Sequence, residues 1–261
     1  MKIRLRSNYD DFPEKYGTSD KQINFYVDNN VYFLENADRH IKNAICLLVE
    51  PRAIIPGTYK WVSENWHKFK YVFTFDSEML KLPNAKLMLY GWINADVECP
   101  DIPKTKNISM VASDKAMCEG HINRRRVATK LSDRIDTYGK FNGGVYCEDS
   151  EYMQGYRFNV AMENYSDGYY FTEKICNCLA SRTVPIYWGC PHIGDYFNMD
   201  GIIYCKTPEE VIEKVDEVLK DPIGEYEKRR DAIEDNLQRV QIFRHWSTIF
   251  LNTYGEMLEE I

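Results

Sequence analysis

Short apolar runs alternate along this chain with polar segments of helical spacing, and that alternation sets the first structural expectation. Residues 1–5 alternate as a first or edge strand does, whereas 10–20 is polar and punctuated by Pro and Gly, hence a loop. Residues 23–27 and 31–34 bracket Asp28-Asn29-Asn30 and read as two short strands, with 37–42 a connector. Residues 44–49 (AICLLV) form a continuous apolar run of strand length that stops at Glu50-Pro51. Such a run fits a parallel strand covered on both faces, and a carboxylate at its mouth is a frequent active-site arrangement. Residues 56–65 then read as a helix, 71–75 as a second buried strand, 77–82 as a short helix and 85–90 as a third strand. Strands alternating with helices predict a parallel α/β sheet.

Residues 94–106, rich in Pro and polar side chains (VECPDIPKTKN), read as an interdomain linker, after which the alternation resumes. Strands are expected at 108–112 and 135–138, the latter ended by Gly139, around a helix at 122–134 that opens with Arg124-Arg125-Arg126. A strand at 158–162 ends at Glu163-Asn164, and Ser166, Asp167 and Gly168 supply turn chemistry. Thr172 is an N-cap candidate for a helix whose Ile175, Cys178 and Leu179 recur at helical spacing. Residues 184–188 form a buried strand stopped by Gly189 and Pro191. Residues 202–205 read as a strand, 208–220 as an amphipathic helix, 223–242 as one long charged helix, and 246–260 as a last helix with Trp246, Ile249, Phe250 and Leu258 on its apolar face. Two α/β domains follow, 1–105 and 106–261.

The strand-turn-helix-strand stretch at 158–191 is where chemistry is expected. Such a unit sets a helix N-terminus beside a strand's carboxyl end, and unpaired N–H groups there favour anions. Lys174 adds a cation to the first turn, where the helix dipole disfavours one, which points to a bound anion rather than to helix stability.

Composition narrows the partners. The 261 residues are 44% hydrophobic and 28% charged, enough apolar content for one large or two medium cores. A net charge of −7 argues against nucleic acid or an anionic membrane surface as the main partner. No N-terminal apolar segment and no run long enough to span a bilayer occurs, so no transmembrane segment is expected. The eight cysteines are scattered, several in apolar settings, as reduced thiols of a cytoplasmic protein would be, and Cys176-x-Cys178 is not a zinc spacing.

The sequence E-N at 163–164, Y-Y-F-T-E-K at 169–174 and V-P-I-Y-W-G-C-P at 184–191 closely resembles the donor-binding signature of glycosyltransferase family 10, the α-1,3/4-fucosyltransferases. Met162 stands where that family commonly has Phe, and Tyr165 where Ser or Thr is usual. Gly120-His121-x-x-Arg124, followed by apolar Val127, Ala128 and Leu131, resembles the family's second donor segment. The resemblance implies a GT-B-like fold of two facing Rossmann-like domains with C-terminal helices, the N-terminal one on the acceptor side and the C-terminal one binding the nucleotide sugar. It implies inverting transfer of L-fucose from GDP-fucose to a glycan acceptor. Arg124 and Lys174 would neutralise the departing diphosphate, with Arg126 in reserve for Arg124. Glu173 would accept hydrogen bonds from the ribose hydroxyls, Asn164 would contact the same half of the donor, Tyr170 would line the phosphate and sugar region, and Glu163 would orient the loop. Glu50 is the best positional match for the general base, with Glu35 and Glu98 next in line. No D-x-D pair that would anchor a metal is seen, so the cations would take a metal's place and no cofactor is expected.

Two other readings keep the same motif. A related transferase could use another nucleotide sugar, such as a UDP-linked pentose, and a module that has lost activity could still bind nucleotide sugar or glycan.

Overall fold

The computed structural model of the protein describes residues 1–6, 16–18, 21–34, 43–97 and 102–261, and holds two five-stranded sheets in which every paired strand is parallel. The first unit comprises Met1–Tyr90, Gly168–Tyr170 and His245–Ile261, and the second Gly91–Asp167 and Phe171–Arg244. This division differs from the expected 1–105 and 106–261: the units part at Tyr90 instead of near 105, and the last helix belongs to the first unit. Its apolar face fills that unit's sheet, a long-range contact that chain order cannot reveal.

In the first unit β1 (Lys2–Arg6), β2 (Gln22–Val27), β3 (Ala44–Leu47), β4 (Tyr71–Thr74) and β5 (Ala85–Leu87) lie side by side in chain order. All four residues of β3 are buried, which is why that segment reads as a continuous apolar run. One face of the sheet packs Tyr26, Cys46 and Val72 against Tyr59 and Val62 of α1 (Pro56–Asn65). The helix α8 (Trp246–Glu259) brings Phe250 edge-on to Phe73, ring centroids 4.7 Å apart, and to Phe25 at 5.9 Å.

The expected strand at 31–34 is instead part of a 3-10 helix, Asp28–Leu34. β2 already has parallel neighbours on both edges, so no hairpin partner is available to it. Asp28 turns the chain out of the sheet with φ of 49°, and the Asn30 side chain donates to the Val27 carbonyl at 2.9 Å. Val31 and Leu34, three apart, then both face inward, as the three-residue period of this helix requires.

The second unit is built from β6 (Lys106–Val111), α2 (Glu119–Leu131), β7 (Asp136–Tyr138), α3 (Asp149–Met153), β8 (Tyr156–Met162), α4 (Glu173–Ala180), β9 (Val184–Trp188), β10 (Ile203–Tyr204) and α5 (Pro208–Val218). Its strand order is β10-β9-β8-β6-β7. Val127 and Leu131 of α2 and Val211 and Val215 of α5 bury against Met110, Val160 and Ile186 of the sheet. The helix α3 has no counterpart in the hydrophobic pattern; a capping box between Glu148 and Glu151 starts it.

The single helix expected at 223–242 is broken into α6 (Pro222–Glu227) and α7 (Arg230–Val240). Arg229 closes on the Tyr226 carbonyl three residues back at 3.0 Å, and its guanidinium occupies the Glu225 carbonyl that a continuing helix would use. Charge patterning carries no sign of that local competition.

Strands β6 and β8 are tied by a buried polar contact. Asn159 is fully enclosed, and its amide donates to the Ser109 hydroxyl at 2.9 Å and the Ser109 carbonyl at 3.3 Å. Asn159→Ala should lower the stability of the second unit by about 1–3 kcal/mol, because partners buried with it lose their hydrogen bonds. A shift of the urea midpoint at unchanged slope checks this; an unmoved midpoint refutes it.

Candidate functional site

The strand order of the second sheet reverses between β6 and β8, whereas the first sheet runs in one direction throughout its described strands. At such a reversal the helices following the two strands part and leave a crevice outside the carboxyl ends. A cavity of about 160 Å³ lies there, lined by Val111 at the end of β6 and Ser113 after it, Met162 at the end of β8, Arg124 of α2, and Glu173 and Lys174 of α4.

Glu163 sets the geometry of this crevice. Its side chain is 0% exposed and accepts the Thr172 N–H at 3.0 Å and the Thr172 hydroxyl at 2.8 Å. Thr172 thereby becomes fixed as the N-cap of α4, its hydroxyl in turn accepting the Lys174 N–H at 3.4 Å. Gly189 has no room for a side chain, since a Cβ there would overlap the Tyr187 hydroxyl and Glu163 Cγ. The Lys174 ammonium donates to Glu173 Oε1 at 2.8 Å and to the Thr172 hydroxyl at 3.0 Å, with Glu163 Oε2 at 3.6 Å. Burial alone would lower the Lys174 pKa, but the Glu173 and Glu163 charges outweigh it and the net shift is upward. Burial raises the Glu163 pKa more than Lys174 lowers it, while for Glu173 the lysine prevails over burial and the pKa falls.

The helix α2 begins at Glu119, three residues before the expected start, so Arg124 lies in its second turn. Gly120 permits this by packing directly on the Asn164 carbonyl, where a Cβ would overlap. The Arg124 guanidinium donates to Asn164 Oδ1 at 2.6 Å and is only 8% exposed, and the Lys174 side chain 20%, so both are more enclosed than an open crevice would leave them. Arg125 and Arg126 point elsewhere: Arg125 donates to the Asp114 carbonyl, and Arg126 pairs with Glu209 at 2.6 Å on the surface. Of the adjacent arginines, the helical spacing to Val127, Ala128 and Leu131 singles out the one that faces the cavity.

His121 was read only as part of a motif, yet it is buried one turn before Arg124. Its Nδ1 lies 3.4 Å from the Cys118 sulfur, and the Cys118 thiol donates to the Asn164 carbonyl at 3.3 Å. Burial and the charges of Arg124, Lys115 and Lys174 push the His121 pKa down to about 4, so the ring is neutral at pH 7. Tyr170, by contrast, belongs to the first unit. Its ring is 2% exposed and packs on Phe75 with centroids 4.7 Å apart, so the second unit does not gather it with Arg124, Asn164, Glu173 and Lys174.

In the first unit, Glu50 stands at the carboxyl end of β3, half-buried, with its carbonyl accepting the Tyr59 hydroxyl at 2.9 Å. Two further carboxylates end the neighbouring strands. Asp28 follows β2 and accepts the Val49 N–H at 2.9 Å and the Glu50 N–H at 3.2 Å. Asp76 follows β4 and takes a two-pronged pair from Arg52, at 2.7 and 2.9 Å. The rule that singled out Glu50, a carboxylate closing an apolar run, would have found both. Glu35 and Glu98 lie outside the described residues. Among the described residues, no three His, Cys, Asp or Glu side chains gather as a metal site would require, the seven cysteines are unbridged, and no helix is long and apolar enough to cross a membrane.

Residues 102–204 match the family model described as glycosyltransferase family 10 (fucosyltransferase) C-term, which includes the whole of the motif-bearing stretch. The chain is 28% identical over 127 residues to a fucosyltransferase-like protein of Arabidopsis thaliana, covering 47% of this chain and 25% of that protein. It is 46% identical over 50 residues to an α-(1,3)-fucosyltransferase of Helicobacter pylori, 19% of this chain and 10% of that one. The chain thus spans a quarter or less of the length of these curated relatives. Among solved structures, an α1,3-fucosyltransferase with GDP superposes with a TM-score of 0.58 at 18% identity, covering 92% of this chain and 78% of that one. TarM superposes at 0.57 and 11% identity, covering 92% and 55%. The fold is the GT-B class of two parallel-sheet α/β domains, as the resemblance implied, and the segment that matches the family 10 model contains the motifs that carry that resemblance.

Burial raises the Asp28 pKa from 3.8 to about 7, against the lowering effect of the two N–H bonds. A carboxyl whose folded pKa is raised favours the folded state most below its unfolded pKa, and that contribution is lost as pH rises through the folded value. The unaltered protein should therefore lose stability relative to Asp28→Asn between pH 4 and about 7, and hold a constant difference above. Urea titrations of both proteins across that range check this, and a pH-independent difference refutes it.

Proposed function

We propose that this chain is an inverting glycosyltransferase that transfers L-fucose from GDP-fucose to a hydroxyl of a glycan acceptor. The observation that carries the reading is the convergence of Arg124, Glu173 and Lys174 on one cavity at the switch point of the second sheet, with Asn164 bonded to Arg124. In this reading the second unit binds the donor and the first supplies the acceptor side.

The chemistry follows from charge. When the bond from the sugar's anomeric carbon to the diphosphate breaks, negative charge builds on the departing oxygen while the sugar becomes oxocarbenium-like. The Arg124 fork suits a diphosphate through paired N–H donors, and Lys174 adds a second positive charge at the first turn of α4, whose backbone dipole acts in the same sense. Glu173, now bonded to Lys174, would exchange that partner for the ribose hydroxyls, and Asn164 both orients Arg124 and meets the same half of the donor. Tyr170, packed on Phe75, is given no direct contact. These cations supply the electrostatic stabilisation that a metal provides elsewhere, so turnover is expected to survive chelation. Glu50 would accept the proton of the acceptor hydroxyl as it attacks. Unbridged thiols fit a reducing compartment such as the cytoplasm.

Calorimetry with GDP tests the donor site. Arg124→Ala and Lys174→Ala should each weaken GDP binding by roughly 10–100-fold, the cost of a lost charge-assisted hydrogen bond. Unchanged affinity in both removes the site from this crevice. Stabilisation by UDP but not by GDP in thermal-shift assays would instead select a different nucleotide sugar.

Glu50→Gln should bind GDP normally yet lose transfer to acceptor by about 10²–10⁴-fold, as expected for removal of a general base. Near-normal turnover in this variant would assign the base elsewhere.

A further inference from the structure

Asp28 is a buried acid for which the donor chemistry has no use. It ends β2 beside Glu50, which ends the adjacent β3, and its own backbone lies in the left-handed region at φ of 49°, where side chains are seldom found. Its carboxylate is 7% exposed, and both oxygens are spent on one stretch of main chain. Oδ1 accepts the Val49 N–H at 2.9 Å and the Glu50 N–H at 3.2 Å, and Oδ2 accepts the Glu50 N–H at 3.3 Å. On the other side, the Tyr59 hydroxyl holds the Glu50 carbonyl. Tyr59 lies under the Arg52 guanidinium, 4.9 Å from its ring centroid, and Arg52 is anchored by Asp76. The main chain of Glu50 is therefore clamped at both its N–H and its C=O.

We infer that Asp28 is a positioning residue for Glu50: its ionised carboxylate fixes the Val49 and Glu50 peptides, and its protonation loosens that grip. The inference rests on reading Glu50 as the proton acceptor. The ionisable groups that face Asp28 are Cys46 and Glu50 from β3 and its end, and Tyr59 from α1, with Arg52 and Asp76 beyond Tyr59. Burial, with the Asp28 charge adding to it, pushes the Cys46 thiol and the Tyr59 hydroxyl far up, so neither titrates near neutrality. Burial holds Asp28 itself near pH 7 and the Glu50 charge adds to that rise, which places its titration in the working range of an enzyme. A carboxyl that gains a proton there becomes a poorer acceptor for the N–H groups it holds.

The test joins a kinetic cycle to a direct titration. Asp28→Asn should lower kcat by about 10–100-fold, the scale of a small misplacement of a reacting group, without changing GDP affinity. It should also remove the rising limb of the pH profile near 7. In a Glu50→Gln background the same substitution should do nothing further. An equal loss in both backgrounds, or an intact limb in Asp28→Asn, overturns the proposal. Carboxyl carbon NMR of the unaltered protein needs no variant to fold: Asp28 should titrate near pH 7, and lower in Glu50→Gln, where one neighbouring negative charge is gone. A midpoint in the ordinary carboxylate range, or one that Glu50→Gln leaves in place, also overturns it. If the unaltered protein transfers no sugar to any acceptor, the transferase reading fails while this titration still decides whether Asp28 is coupled to Glu50.

Discussion

The functional end of the second unit depends on how one buried carboxylate is satisfied. Glu163 has no exposed surface, and an ionised carboxylate out of water is tolerated only when it is paired and hydrogen-bonded. Thr172 answers with both its N–H and its hydroxyl, and Lys174 adds a charge. Each answer has a structural consequence. Because Thr172 is held, α4 starts at Glu173 rather than a residue earlier or later, and because α4 starts there, Glu173 and Lys174 occupy its first turn at the mouth of β8. A change of one residue in that start would rotate Lys174 by roughly 100° about the helix axis, away from Arg124. The absence of a side chain at Gly189 belongs to the same constraint, since nothing else leaves space for Glu163.

Carboxylates close strands in the first unit as well, but with other partners. Asp76 has an arginine in bidentate contact, a full charge pair with most of its hydrogen-bonding capacity filled. Asp28 is served by backbone N–H groups, which stabilise the anion less than a cation does, and burial therefore dominates its pKa. The two acids flank β3 on adjacent strands, so Glu50 lies between an arginine-paired carboxylate and one held only by backbone N–H groups.

Much of this was legible in the chain because the deciding signals are local. Continuous apolar runs mark β3, β4 and β9, Pro at the first helical position marks α1 and α5, and Thr172 before an apolar helical face marks α4. Arg124 was separable from Arg125 and Arg126 because only its angular position agrees with the buried face of α2. What escaped depends on contacts between distant residues. The last helix packs on the sheet of the first unit through Phe250 and Phe73, and nothing within 246–260 encodes that destination. The ring of Tyr170 packs on Phe75, far away in sequence, a contact that nothing local encodes. Asp28 closes a strand as Glu50 does, but Asp-Asn-Asn is also ordinary turn chemistry, and only the fold reveals that the turn's first carboxylate reaches across to the end of the next strand.

The crevice of the second unit also has to remain folded when it is empty. Cations gathered at one crevice would repel one another, and burial would add to the cost. The structure limits both effects. Lys174 leans on Glu173 and Glu163, Arg124 on the neutral Asn164, and His121 stays uncharged because burial and its cationic neighbours deny it a proton. In the proposed function an arriving diphosphate would take over the part played by Glu173, freeing that carboxylate to accept hydroxyl donors, while Glu163 remains bonded to Thr172 and keeps α4 in place. The division of labour between the two acids follows from burial: the enclosed one maintains the frame, and the partly exposed one is available to change partners.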